Sequence, residues 1–549
     1  MVAEMKAEQI GRAARTDMQL TVPVRPALRR GVRLRRSGDA VVLDGAERAQ
    51  AFSGAFARDS LIPLAGACDG TRGHADLARE LGLAESTVYK SLALLWTAGA
   101  IEEAPPGAEP DVAPEWAVFL SRLGNATGAN PSWTDAVTRL TAHTVRLTGD
   151  PALVEAAERA LRDVCRVVTG ADTTPGATPG AEPSSPELTV FFETVRSAAD
   201  LATVEKRCRE RGRPLLRIRA DVGTVVIGPY VDLALTPCLD CGAHGEAELS
   251  GDVPAHLRDL VAGLASHHVT ALVARATISH LPADRSVIDL ATLRTEYRPS
   301  AVRPGCPRCS STRGPVAPQA PAGAVYEASV AMPPRAFLSP KDHQAHYYAG
   351  NVRLQSRFKD WPSRPHTALP EPELSALAAS GRHDPALGPV PLTLDALGLV
   401  LKIAFGVNDA ESTPERVRRW TAASGNIGTS SAYVVVRDKQ ILPPGIYAYA
   451  QADHTLAAVS GEVPPGDAPC ELIITGDLKK VMTKYGTFGF RLVFLDAGCN
   501  LAAAREVAQH LGLGFAPHTD WDDTALATAL GIDTADEPIA ATATLGGTA

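Results

Sequence analysis

The sequence predicts a multidomain protein of mixed α/β and α+β class. Three observations carry that expectation. Short strands followed by a helix, a turn and a second helix open the chain. Strands alternate with helices from His143 to Asp221. A stretch rich in Pro and Ala, Ser311–Ala324, then parts two halves. With 549 residues the chain exceeds what one hydrophobic core holds, so about two to four domains are expected.

Residues 1–20 are polar and without period, and are predicted to be disordered. GVRLRRSGDAVVLDGAERAQAF then reads as short strands with a turn at Ser37-Gly38-Asp39. HADLARELGLAESTVYKSLALLWTAGAIEE reads as a helix, a turn at Gly82, and a helix from Glu85 to Ala98 stopped by Gly99. This order predicts a winged-helix unit over residues 21–105. Arg25, Arg29, Arg30, Arg33, Arg35 and Arg36 speak for DNA binding. Against it, the second helix has Lys90 as its one cation, and Glu102 and Glu103 follow; a phosphate-facing helix needs more charge. A peptide-binding unit, using a strand edge and a helix groove, is the favoured reading, and a purely structural unit stays open.

From His143, HTVRLTG, ELTVFFETV and PLLRIRAD read as strands, and ALVEAAERALRDV and ATVEKRCRERG as helices, which predicts a parallel, Rossmann-like sheet over residues 106–310. TGDPAL stands where a glycine-rich phosphate loop would follow the first strand, so no nucleotide is expected. Ala171–Pro186 reads as a surface-loop insertion, and Ser311–Ala324 as a linker before a second half, residues 325–549.

The net charge of −8 argues against a whole-chain polyanion binder. No apolar run reaches the ~18 residues of a membrane span, and the N-terminus lacks a signal-peptide core, so a cytoplasmic protein is expected. Nine cysteines are too scattered for a secreted disulfide framework. Four of them form two CxxC pairs, Cys238/Cys241 and Cys306/Cys309, with residues 242–305 between. Two such knuckles present four thiolates tetrahedrally, as a closed structural zinc site requires. Unrelated loop pairs and a redox pair are the competing readings.

VGTVVIGPYVDLALTPCLDC, closed much later by RPGCPRC, resembles the ThiF-like partner proteins of azole-forming peptide pathways, over roughly residues 25 to 310. That resemblance implies a degenerate adenylating-type fold with a four-cysteine zinc. It also implies a winged helix that binds the leader of a precursor peptide, here at Gly45–Phe52 and Glu85–Ala98. RRWTAASGNIGTSSAYVVV, LPPGIYAYAQADHTL and TKYGTFGFRLVFLDAGCNLAAAREVAQHLGLGFAP occur in the order seen in streptolysin-type azoline dehydrogenases. These are flavin enzymes of the nitroreductase fold that oxidise azolines to azoles. This second resemblance implies FMN, a homodimer and a separate ATP-dependent cyclodehydratase partner.

On that resemblance, Lys484 and Tyr485 handle the proton, since a desolvated lysine is a usable base. A solvated lysine beside a core tyrosine is the ordinary alternative. Arg382, Ser424, Gly425, Asn426 and Gly514 are expected at the cofactor, although Gly381–Pro385 departs from the usual phosphate-binding stretch and keeps Arg382 alone. A flavin-depleted scaffold, a transcription regulator and a small-molecule flavin reductase are the rival readings.

Overall fold

The computed structural model describes all residues except 1–4, 19, 47–48, 124–128, 171–186, 233, 277–283, 332–347, 373, 375–376, 378–387, 414–415 and 548–549. The Ala171–Pro186 insertion and the Gly381–Pro385 stretch with Arg382 therefore lie outside the described residues. The chain divides into two compact units, Lys6–Gln344 and Ala345–Ala549, the latter with residues 1–5. Among the described residues no helix is long and apolar enough to cross a membrane.

The first unit begins with a helix, α1 (Ala7–Ala13), in the stretch where the sequence predicts disorder. Ile10 is fully buried, and Ala13 and Leu20 nearly so. Its apolar residues are too few to give a period, and tertiary contact supplies the order. Strand β1 (Pro26–Leu28) pairs antiparallel with β5 (Ile101–Glu103). Between them β2 (Arg33–Ser37), β3 (Ala40–Asp44) and β4 (Gln50–Phe52) form an antiparallel sheet in which β4 is an edge. Helices α2 (Ile62–Ala67), α3 (His74–Leu81) and α4 (Glu85–Thr97) follow. Gly82 ends α3 in the left-handed conformation (φ 62°, ψ 32°), which frees the chain to turn. Val88, Leu92 and Leu95 of α4 fall on one helical face and join the core with Val41, Leu43 and Leu77. Of the arginines that favoured DNA, Arg29 is buried, ion-paired with Glu102 at 3.8 Å.

Helices α5 (Pro114–Leu123) and α6 (Trp133–Ala142) lead to a seven-stranded sheet. Its strands are β6 (Thr144–Gly149), β7 (Arg166–Thr169), β8 (Glu187–Glu193), β9 (Leu215–Ala220), β10 (Thr224–Val231), β11 (Asp284–Asp289) and β12 (Thr295–Pro299), in the order β12-β11-β10-β9-β8-β6-β7. The pairs among β7, β6, β8 and β9 are parallel, and those from β9 to β12 antiparallel. The alternation predicted from His143 is thus present, with α7 (Pro151–Leu161) after β6 and α8 (Leu201–Glu210) after β8. Short α9 (Leu239–Gly242) and long α10 (Arg258–Val273) complete it.

The stretch Ser311–Ala324 does not part the units, whose division falls after Gln344. It folds back on the second CxxC knuckle. Ala317 N donates to Pro304 O at 2.8 Å, and a Cβ on Gly305 would overlap the Pro315 carbonyl. Its prolines fix an extended path that the knuckle receives, and composition alone does not distinguish such a docked path from a free linker. Helix α11 (Ala322–Ser329) follows.

The second unit contains α12 (Ala349–Arg353), β13 (His366–Ala368), α13 (Leu394–Phe405), β14 (Ser430–Val436), β15 (Gly445–Ala450), β16 (Thr455–Ser460), β17 (Cys470–Gly476), α14 (Leu478–Tyr485), α15 (Gly489–His510), β18 (Phe515–Pro517), α16 (Asp523–Leu530) and β19 (Ile539–Leu545). All its strand pairs are antiparallel, in the order β13-β16-β15-β14-β17-β19-β18. Strand β14, SSAYVVV, is buried along its whole length, as a central strand covered on both faces must be. Helix α15 buries Val493, Asp496, Asn500, Ala504 and Val507, a three-to-four-residue period that sets two polar side chains inside the unit.

Candidate functional site

In the second unit the site is built on the loop before β14. Gly425 and Asn426 both have left-handed backbones (φ 55° and 58°). A β-carbon on Gly425 would overlap the Lys484 Nζ and the Tyr485 hydroxyl. The structure thus brings Gly425, Lys484 and Tyr485 together from two separate segments. The Lys484 ammonium lies 4.9 Å from the Tyr485 ring centre. Burial lowers the Lys484 pKa to about 8, and burial, with the Asp496 charge behind it, raises that of Tyr485.

Asp496, which sequence reasoning missed, anchors the loop. Its Oδ1 accepts from Ser424 N at 2.9 Å and Ser424 Oγ at 2.7 Å, and its Oδ2 accepts from Thr429 Oγ1 at 2.7 Å. The carboxylate is 4% exposed. Buried charge needs such compensation. Arg419 spans the loop from the other side, donating to Asn426 O and Gln355 O at 2.9 Å each. Burial lowers the Arg419 pKa to about 10, against the pull of Asp496. Lys480, one helical turn before Lys484, is also buried and donates to Gly428 O at 3.0 Å. Burial, aided by the Arg419 charge, lowers its pKa to about 7.

The expected cofactor residues separate. Ser424 spends its hydroxyl on Asp496. The Asn426 side-chain amide donates to Val417 O at 2.6 Å and Gln355 Oε1 at 3.1 Å, so both side chains brace the loop. Gly514 is elsewhere. Its carbonyl accepts from Gly546 N, and a Cβ there would overlap the Gly547 carbonyl. That is the Cys470–Leu545 end of the β17/β19 pair, whereas Ser430 pairs with Gly476 at the other end of β17. Six strand steps, about 20 Å, divide them. Asp496 also lines a small pocket with Arg419, Thr429, Ser430, Gln451 and Asn500. Lys484 and Tyr485 do not line it.

The four cysteines of the first unit form a second candidate centre. The Sγ atoms of Cys238, Cys241, Cys306 and Cys309 lie within 4.8 Å of one another. Cys238 stands 3.7 Å from Cys306 and 3.5 Å from Cys309. Zinc–sulfur bonds of about 2.3 Å in a tetrahedron put sulfurs roughly 3.8 Å apart, whereas a disulfide needs about 2.05 Å. Four converging thiols, three of them buried, therefore suit a metal such as zinc and leave no position for a substrate. Arg303 N donates to Cys241 Sγ at 3.4 Å, as a ligand thiolate would require.

The β6–α7 turn holds no comparable site. Asp150 caps α7, its Oδ1 accepting from Ala152 N and Leu153 N at 3.0 and 3.1 Å, and its Oδ2 accepts from Thr194 Oγ1. A carboxylate thus occupies the anion-binding end of the helix, where a nucleotide phosphate would sit in a dinucleotide-binding fold. The absence of the glycine-rich loop has a structural counterpart.

No protein-family model matches the chain, and no curated protein matches it. Among solved structures, a heterocyclase in complex with substrate and cofactor is similar at 17% identity and a TM-score of 0.40, over 52% of this chain and 39% of its own. MccB of E. coli is similar at 14% identity and 0.41, over 53% and 98%. A putative nitroreductase from Ralstonia eutropha is similar at 21% identity and 0.28, over 35% and 94%.

Proposed function

We propose that the chain oxidises azoline rings on a ribosomally made precursor peptide, using FMN in residues 325–549. Residues 21–105, as a winged helix, capture the leader, and residues 106–310, as a ThiF-like domain, carry the structural zinc. The single observation that carries the reading is the convergence of Lys484 Nζ and the Tyr485 hydroxyl on Gly425. Oxidising an azoline removes a hydride and a proton. FMN, when bound, supplies the hydride acceptor. The neutral Lys484 amine takes the proton at Nζ, and burial keeps that form accessible near neutral pH. Tyr485 orients the amine and the ring. Gly425, bare of a side chain, lets Lys484 and Tyr485 close onto the loop, and the Asp496 and Arg419 contacts hold its backbone still. A homodimer and an ATP-dependent cyclodehydratase partner complete the proposal, and a second copy is what would bring Gly514 to a flavin.

A second reading is favoured by one observation. Ser424 and Asn426 have spent their side chains inside the loop, as in a domain kept as a scaffold after losing its flavin. The absorbance spectrum of the purified protein, followed by turnover on an azoline-bearing precursor with its leader, decides between them. Flavin bands with oxidation support the enzyme. A colourless protein that flavin does not activate supports the scaffold.

A further inference from the structure

Helix α4 is enclosed from two sides. Val88, Leu92 and Leu95 face the core. Tyr89, Lys90 and Ala93 project away from it, on the face that a recognition helix would offer a partner. That outward face is covered by α1. The Gly11 backbone lies against Lys90 so closely that a Cβ would stand 2.9 Å from the Lys90 Cα. Ile10 and Ala93 are both fully buried. Glu8 pairs with Lys90 at 3.2 Å, and the Arg15 guanidinium stands 5.1 Å from the Tyr89 ring centre. Beside this face, Gln50 of edge strand β4 donates to Ala98 O at 2.8 Å, so the free sheet edge and the helix face adjoin.

A seven-residue helix does not persist alone in water, so α1 exists because α4 receives it. Its pattern is specific: an acid, an aliphatic residue two positions on, glycine next, and a base four later. Its hold is slight. The Glu8–Lys90 pair is solvent-reachable, with side chains 66% and 31% exposed, and contributes little.

We infer that the outward face of α4 is a docking face for a helical peptide segment, and that residues 6–20 of this chain are its resident occupant, displaced when a peptide of the same pattern arrives. The partner is a precursor segment carrying an acid, an aliphatic residue, a small residue and a base at the spacing of Glu8, Ile10, Gly11 and Arg15. The inference rests on the leader-capture reading and adds to it a tethered competitor, which weakens any ligand in trans by its own local occupancy.

The test uses a fluorescein-labelled synthetic peptide of residues 5–21 as probe and the full-length chain as receptor. Ile10→Glu and Gly11→Leu each expel α1 without altering α4. Fluorescence anisotropy should show the probe binding both variants at least about tenfold tighter than wild type. Adding Lys90→Glu to the Gly11→Leu chain should lower that affinity again. Equal binding by wild type and variants, or no binding to variants that melt as wild type does, overturns the inference. So does unfolding of both variants, since α1 would then be core and not an occupant. No precursor enters this assay. Its failure therefore leaves the capture reading standing, and that reading falls separately if a leader peptide binds neither wild type nor variants.

Discussion

The Lys484 ammonium and the Gly425 α-carbon are neighbours that tolerate no atom between them: a β-carbon at 425 would overlap both Nζ and the Tyr485 hydroxyl. Gly425→Ala should therefore push the lysine aside, besides straining a left-handed backbone. If Lys484 is the base, Lys484→Ala lowers azoline oxidation by about 10²–10⁴-fold, and Gly425→Ala by a comparable factor. Flavin content, measured on the same samples, should not change in Lys484→Ala. Oxidation at the wild-type rate by Lys484→Ala returns the pair to a structural role.

The pH dependence has a definite sign. The neutral amine is the base, and burial sets its pKa at about 8. Oxidation by wild type should rise with pH through about 8 and level off above it. A profile that rises near pH 4–5, in the ordinary carboxylate range, would point to an acid instead.

Lys480 gives a separate test through stability. Its folded pKa of about 7 lies below the ordinary 10.5, so between those values the unfolded chain holds more protons. Stability of the Ala345–Ala549 unit should then rise with pH across this window, by on the order of 5 kcal/mol in all. Lys480→Met should flatten the slope in denaturant melts at pH 7 and pH 10. A slope that persists in that variant belongs to other groups.

Metal analysis should find about one zinc per chain. Cys238→Ser, or a strong chelator, should lower the melting transition of the Lys6–Gln344 unit by roughly 5 °C, since a few kcal/mol shifts a unit of this length by that amount. Wild-type protein that carries no metal and is indifferent to the chelator would contradict the site.

Asp150→Ala should cost about 1–2 kcal/mol, the usual loss of a helix cap. ATP and NAD should leave the wild-type melting temperature unchanged, because the capping carboxylate holds the phosphate position. A rise with either nucleotide would mean that Asp150 yields.

The strands and helices from Thr144 to Ala220 were legible because alternation is a local property, and so was the α3–Gly82–α4 turn. The cysteine cluster was legible because its spacing is its chemistry. Other features arise only in three dimensions. Asp496 stands in FLDAG as one polar residue among apolar ones, and nothing local says that it turns inward to receive Ser424 and Thr429. Lys480 looks like a surface cation of a first helical turn. Gly514 was expected at the cofactor from the resemblance, and order along the chain does not say that it stands at the opposite end of β17 from Ser430. Helix α1 was missed because its apolar residues are few and its burial comes from α4.

Cys238 and Cys309 stand 71 positions apart, and β11, β12, α10 and most of a compact unit's edge hang on the chain between them. A metal that joins them makes this stretch a closed ring. In the unfolded state the ring forbids conformations that an open chain of that length would sample, a restriction worth about 4 kcal/mol if reckoned as for a disulfide. One ion so placed acts as a clasp on topology: it keeps two strands and a long helix in reach of one another even when their packing has loosened.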